Sequence, residues 1–160
     1  MLDQPKLWML IGVVCSGKST WIANHIEKFS SANTVIISSD DIIEQRAKLQ
    51  GKTYSDIFMD EIKSATSEMY KNVAEAVEFN KDIIWDQTNL TPKVRAEKLR
   101  LIPEHYKKFA VFFKTPDEKT LVTRLNSRPG KIIPMPIVKN MINTLVPPTK
   151  VEGFDRIFVI

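Results

Sequence analysis

Short blocks of apolar and β-branched residues recur along the chain, separated by stretches in which apolar positions return every three or four residues. The blocks are KLWMLIGV at 6–13, TVIIS at 34–38, KDIIWD at 81–86, KKFAVFFK at 107–114 and RIFVI at 156–160. Such near-continuous hydrophobicity predicts strands covered on both faces, as in a parallel sheet. Between them, Ile62, Ala65, Met69, Val73 and Ala76 fall at helical spacing and predict one long helix over 55–79. Thr91-Pro92 reads as an N-cap followed by proline at the first helical position, and Pro134 and Pro136 open a helix containing Ile137, Met141 and Leu145. Strands alternating with helices predict an α/β fold, a three-layer domain around a mainly parallel five-stranded sheet. No repeat, low-complexity tract or linker divides the 160 residues, so a single domain over 1–160 is expected.

Composition narrows the class without naming a partner. A single cysteine, Cys15, rules out an internal disulfide framework and fits a reducing compartment. The net charge of +4 suits a polyanionic partner, a bound nucleotide included. No apolar run is long enough to span a bilayer, and MLDQPKLWML is not a signal peptide, so a cytoplasmic protein with no membrane partner is expected. No Cys/His cluster has zinc spacing and no G-x-S-x-G occurs, which leaves zinc and covalent hydrolase chemistry unsupported. His25 and His105 read as structural or exposed, the three tryptophans as packing, and KKF and RAEKLR as solvated faces.

The first strand runs directly into GVVCSGKST at 12–20, which contains Gly12-x-x-x-x-Gly17-Lys18-Ser19. This spacing is a phosphate-binding loop, whose glycines let successive N–H groups turn into one concavity. Lys18 is then placed for the β- and γ-phosphates and the Ser19 hydroxyl for Mg²⁺, with the following helix N-terminus adding partial positive charge. The expected nucleotide contacts are Gly12, Cys15, Ser16, Gly17, Lys18, Ser19 and Thr20.

Open parallel sheets bind ligands at the C-terminal ends of their strands. The second predicted strand delivers Asp40 and Asp41 to that rim, and the third delivers Asp86, Gln87, Thr88 and Asn89. Asp40 is the candidate base for an acceptor hydroxyl, against the alternative that SSDD merely caps a helix. Asp86 either holds Mg²⁺ through water or serves the strand end and the turn after it. Thr88 and Asn89 either orient neighbours or begin the next helix. TRLNSRPGKIIP at 123–134 places Arg124, Arg128 and Lys131 around Pro129-Gly130 and reads as a mobile basic lid over about 124–134. Arg128 is its transition-state cation, and Arg124 is a further nucleotide contact. The loop VPPTKVEGFD at 146–155 is an expected place for adenine contacts.

With these residues in view, the chain from about Leu7 to about Met141 resembles the P-loop kinase domain of phage-type 5′-hydroxyl polynucleotide kinases. The likeness rests on GVVCSGKSTW, SSDD, DQTNL and LVTRLNSRPGKIIP in that order. It implies a P-loop NTPase-type domain with a helical lid, ATP and Mg²⁺ as cofactors, and transfer of the γ-phosphate to the 5′-hydroxyl end of DNA or RNA. Lys18 and Ser19 would hold phosphates and Mg²⁺, Asp40 would be the general base, and Arg128 the lid arginine. Where the family has an arginine three residues after the base, this chain has Ile43, and Arg46 is six residues from Asp40. Bifunctional members continue into a phosphatase domain with a D-x-D-x-T motif, which this sequence lacks, so phosphatase activity is not expected. Certain P-loop domains of nuclear ribonucleoproteins carry a similar Asp-Gln-Thr-Asn string, which implies ATP binding without transfer. A small-molecule or nucleoside kinase is the third reading. A basic groove leading to Asp40 would mark a polynucleotide acceptor, and a closed apolar pocket a small one.

Overall fold

A computed structural model describes residues 4–28 and 33–160; Met1–Asp3, the start of the N-terminal stretch read above, lie outside the described residues. Each predicted apolar block contains a strand: β1 (Lys6–Ile11), β2 (Thr34–Ile37), β3 (Asp82–Trp85), β4 (Lys107–Phe112) and β5 (Arg156–Val159). They form one sheet in the order β2-β3-β1-β4-β5. All four pairings are parallel, so the sheet is wholly rather than mainly parallel. β1 is central, pairing Leu7 with Ile83 and Met9 with Trp85 on one side, and Leu7 with Lys108 on the other.

Strand alternation divides the core into two layers. Leu7, Met9 and Ile11 pack with Met69, Val73 and Ala76 of a helix crossing one face, together with Trp85 and Tyr106. Leu10, Ile84 and Val111 point the other way, onto Ile22 of the first helix and Phe113. Trp8 packs there against Trp21, His25 and Phe109 in tilted and edge-on contacts, so Trp8 and Trp21 serve packing as expected.

The helices are α1 (Lys18–Lys28), α2 (Ser39–Leu49), α3 (Tyr54–Glu78), α4 (Pro92–Leu99), α5 (Glu118–Asn126) and α6 (Met135–Thr144), with a 3₁₀ turn over Lys150–Glu152. α3 is the long helix foreseen from periodicity, started by a capping box between Thr53 and Asp56. Thr91 caps α4 and Pro92 opens it. α6 begins after Pro134 but ends at Thr144, so Leu145 forms its C-cap rather than its last turn. Because the chain leaves β1 toward β2 and leaves β3 toward β4, the C-terminal ends of β1 and β3 bound a topological switch point. The phosphate-loop pattern lies there.

Candidate active site

The loop after β1 turns tightly enough that no side chain fits at its first glycine. A Cβ at Gly12 would lie 2.7 Å from Ser16 Oγ and 2.9 Å from Phe113 Cβ. Gly17 has φ +106° and Cys15 φ +59°, so the backbone curls through left-handed conformations just before α1. Lys18, the first residue of α1, donates to the carbonyls of Gly12 at 3.0 Å and Val13 at 2.7 Å. Burial lowers its ammonium to a pKa of about 8, against the opposing pull of Asp86, Cys15 and Asp40. Among the described residues Ser16 Oγ is buried without a hydrogen-bond partner. A first glycine that admits no Cβ, a buried hydroxyl with no partner among the described residues and a lysine bonded to loop carbonyls fit a phosphate ligand.

β3 brings Asp86 to the same rim, where its N–H donates to Ile37 O at 2.8 Å. Burial raises its carboxyl above the usual range while Lys18 opposes the shift. Asp86 and Ser19 both line the main cavity, of about 890 Å³. Among the described residues no group of three or more His, Cys, Asp or Glu could cage a metal ion. A divalent ion here fits the Mg²⁺ pattern, one or two protein oxygens with phosphates completing the shell.

Capping and the aspartate pair resolve into separate parts. Ser38 is the N-cap of α2, its Oγ accepting from Asp41 N at 3.1 Å, so neither aspartate caps the helix. Asp40 accepts from Tyr54 Oη at 2.9 Å and from Lys131 Nζ at 2.8 Å. Asp41, beside it, has its carboxyl raised to about 6 by desolvation and by Asp86, Glu44 and Asp40. Ile43 is fully buried between α2 and α3, and Arg46 is committed to Glu61, Glu68 and Ser64 of α3. No arginine of α2 faces the cavity.

The basic segment differs from a solvated loop. Arg124 lies on α5 and donates to Cys15 O at 2.8 Å, so only residues after Asn126 form the loop. Arg128 reaches the phosphate loop, with Nη1 3.7 Å from Cys15 Sγ. Lys131 is buried, donating to Glu44 at 2.9 Å as well as to Asp40. Packing of Val13 and Leu121 with Val138 of α6 seats this lid beside the phosphate loop.

One expectation is corrected. RAEKLR is not a solvated face: Arg95 is fully buried and Lys98 nearly so. Arg95 and Lys98 share an inward stripe with Leu99, at i, i+3 and i+4. Arg95 pairs with Glu152 through Nε at 2.7 Å and Nη2 at 2.9 Å, and donates to the carbonyls of Asn89 and Val146. That pairing ties the loop 146–155, the place expected for adenine contacts, against α4, and no residue of the loop lines the main cavity. Lys98 donates to Gln87 and Asn89 beneath the Trp85 ring. Gln87 donates to Ser39 Oγ at 3.0 Å, and Asn89 to Leu10 O at 2.7 Å, so both amides orient neighbours of the site. Thr88 lines the cavity and accepts from Gly12 N at 3.0 Å. Sequence reading passed over Tyr54 and Glu44 and took Arg95 and Lys98 for a solvated face; the inward stripe on α4 was the one local signal for the latter pair.

A parallel sheet with a phosphate loop at its switch point defines a P-loop domain of the kinase-like class. Residues 7–148 match the AAA domain family, and the chain belongs to it. Among solved structures, one from the PezAT chromosomal toxin–antitoxin system of Streptococcus pneumoniae superposes with a TM-score of 0.72, at 21% identity over 98% of this chain and 67% of that one. A chain of the Pnkp1/Rnl/Hen1 RNA repair complex gives 0.68 at 22% identity, over 91% of this chain; this chain spans only 45% of it. A fungal RNA kinase gives 0.54 at 15% identity over 98% and 74%. Sugar kinases share the fold too. No curated protein matches the sequence.

Proposed function

We propose that the chain is an ATP- and Mg²⁺-dependent kinase that phosphorylates the 5′-hydroxyl end of DNA or RNA. The observation carrying this reading is that Lys18, Asp86, Asp40 and Arg128, from four separate segments, line one cavity. When bound, ATP·Mg²⁺ supplies the γ-phosphoryl group and neutralises part of its charge. Gly12, Cys15, Ser16, Gly17 and Thr20 shape or flank the cradle, Lys18 would turn from its loop carbonyls to phosphate oxygens, and Ser19, with Asp86 through water, would hold the metal. Arg124 braces Cys15, and Arg128 faces the transferring group. Asp40 takes the hydroxyl proton as the acceptor oxygen bonds to the γ-phosphorus and the bond to the β,γ-bridging oxygen breaks, leaving ADP.

Support for a polyanionic acceptor comes from a side cavity of about 610 Å³ that shares Tyr54, Arg128 and Lys131 with the main one. Lys48 and Lys52 extend it, giving four cations against Glu44. Phe58, Met59, Ile62 and Ile132 form an apolar wall on the acceptor side, suited to stacking a base. The fungal RNA kinase and the RNA repair complex agree in fold with such a substrate. The second reading, a small hydroxyl acceptor, is favoured by the same wall and by Ile43 in place of a basic residue.

Transfer of label from γ-labelled ATP to 5′-hydroxyl oligonucleotides, nucleosides and nucleotides tests both, with Asp40→Ala and Lys18→Ala alongside. The reading expects labelled oligonucleotides, loss of transfer in both variants, and weakened ATP binding only in Lys18→Ala. Label on nucleosides alone would keep the chemistry and replace the acceptor. ATP binding without transfer would point to a binding module.

A further inference from the structure

Lys131 is buried on a lid whose other cations reach toward the phosphate loop, yet it faces the opposite wall. Its ammonium bridges Asp40 Oδ2 at 2.8 Å and Glu44 Oε1 at 2.9 Å and lies 4.2 Å from the centre of the Tyr54 ring. Tyr54 in turn donates its hydroxyl to the second Asp40 oxygen, Oδ1, at 2.9 Å. Both oxygens of the candidate base are therefore held, one from the lid and one from the first turn of α3.

Backbone bonds fix the lid at the same place. Ser55 N donates to Gly130 O at 3.0 Å, and Ile132 N donates to Ser55 Oγ at 2.9 Å. Gly130 has φ +72°, and a Cβ there would meet Thr53 Cβ at 2.9 Å. Residues 130–132 are thus stitched to the start of α3 directly around the lysine.

We infer that Lys131 and Tyr54 are positioning residues that hold the Asp40 carboxylate in one orientation toward the cavity, and that Lys131 makes this orientation depend on lid docking. The inference rests on the proposed role of Asp40 as the base. One carboxylate lone pair on each oxygen remains for an acceptor hydroxyl, so the clamp leaves the base usable while removing its rotational freedom. Opening the lid withdraws the ammonium and leaves Asp40 near Asp41, Glu44 and Asp86, with only Tyr54 to orient it. Proton transfer from an acceptor is then restricted to the closed lid.

A double-mutant cycle on phosphoryl transfer separates this role from simple lid docking. Lys131→Met should lower kcat about 10- to 100-fold with the KM for ATP within about twofold, and Tyr54→Phe about 3- to 10-fold. Lys131→Arg should recover most of the Lys131→Met loss. In an Asp40→Asn background neither change should cost anything further, because the group they position is gone. Thermal melts of wild type, Lys131→Met, Asp40→Asn and their double variant report folding and give the Lys131–Asp40 coupling without any turnover. Equal losses in both backgrounds, or absent coupling in the melts, would overturn the inference and leave Lys131 as a docking residue. Wild-type turnover in Asp40→Asn alone would instead defeat the assignment of the base.

Discussion

Lys98 shows how far a single buried residue departs from its sequence-level reading. Among the described residues its ammonium has no carboxylate partner; it bonds the amide oxygens of Gln87 and Asn89 and lies over the Trp85 ring, and burial lowers its pKa to about 7. A neutral amine still has an N–H for each of those oxygens. In the unfolded chain the same lysine titrates at 10.5. Between the two values the unfolded state binds a proton that the folded state does not, so Lys98 makes stability rise with pH across that window. Lys18, lowered to about 8, acts in the same sense over the upper part. Urea midpoints taken from about pH 7 to about pH 10 should therefore climb more steeply in wild type than in Lys98→Met. Parallel slopes would show that Lys98 stays charged in the fold. The phosphate loop was legible because all its parts come from consecutive residues. The clamp on Asp40 was not, because Tyr54 lies 14 residues away and Lys131 lies 91 residues away, and only the fold joins them.

At the scale of elements, strands were the most readable feature, since burial on both faces leaves an uninterrupted apolar run. Helix α4 was misread for the complementary reason. Its inward stripe includes Arg95 and Lys98, whose charges conceal the periodicity that an aliphatic stripe would have displayed. Arg95 is what docks α4 against the 3₁₀ turn before β5, through the paired bonds to Glu152. Burial opposes ionisation of Glu152, but Arg95 and Thr149 outweigh it and hold the carboxyl below its usual range. Arg95→Ala would leave that carboxylate nearly buried with no cation and only Thr149 bonded to it, at a cost of about 3–5 kcal/mol. Chemical denaturation should show this loss, with part of it restored when Glu152→Gln is added. An unchanged midpoint in Arg95→Ala would mean that α4 is held by Leu99 and its apolar neighbours alone.

Across the whole molecule, the residues proposed for the phosphate donor and those proposed for the acceptor rest on different supports. Gly12 N to Thr88 O and Asn89 to Leu10 O join the ends of β1 and β3, so the phosphate loop and Asp86 belong to one stiff unit. Asp40, Tyr54 and Ile43 belong to the packed pair α2 and α3. The lid touches both, through Arg124 and Arg128 on one side and Lys131 on the other. Fold class and the phosphate site were readable because they follow from strand periodicity and one local motif. The bridging of the two supports was not readable, because it arises from contacts between segments far apart in the chain.

The stitches at Ser55 have a consequence for traffic. They pin the lid to the start of α3, so nucleotide entry is expected to wait until the lid detaches. Detachment is a unimolecular event on the scale of loop motions, whatever the amount of nucleotide outside. Stopped-flow mixing with a fluorescent ATP analogue should therefore give an observed rate that levels off as concentration rises. In Gly130→Ala, where the added methyl would crowd Thr53, the plateau should rise or vanish. A strictly linear dependence in wild type would mean that the doorway stands open, and that closure follows arrival.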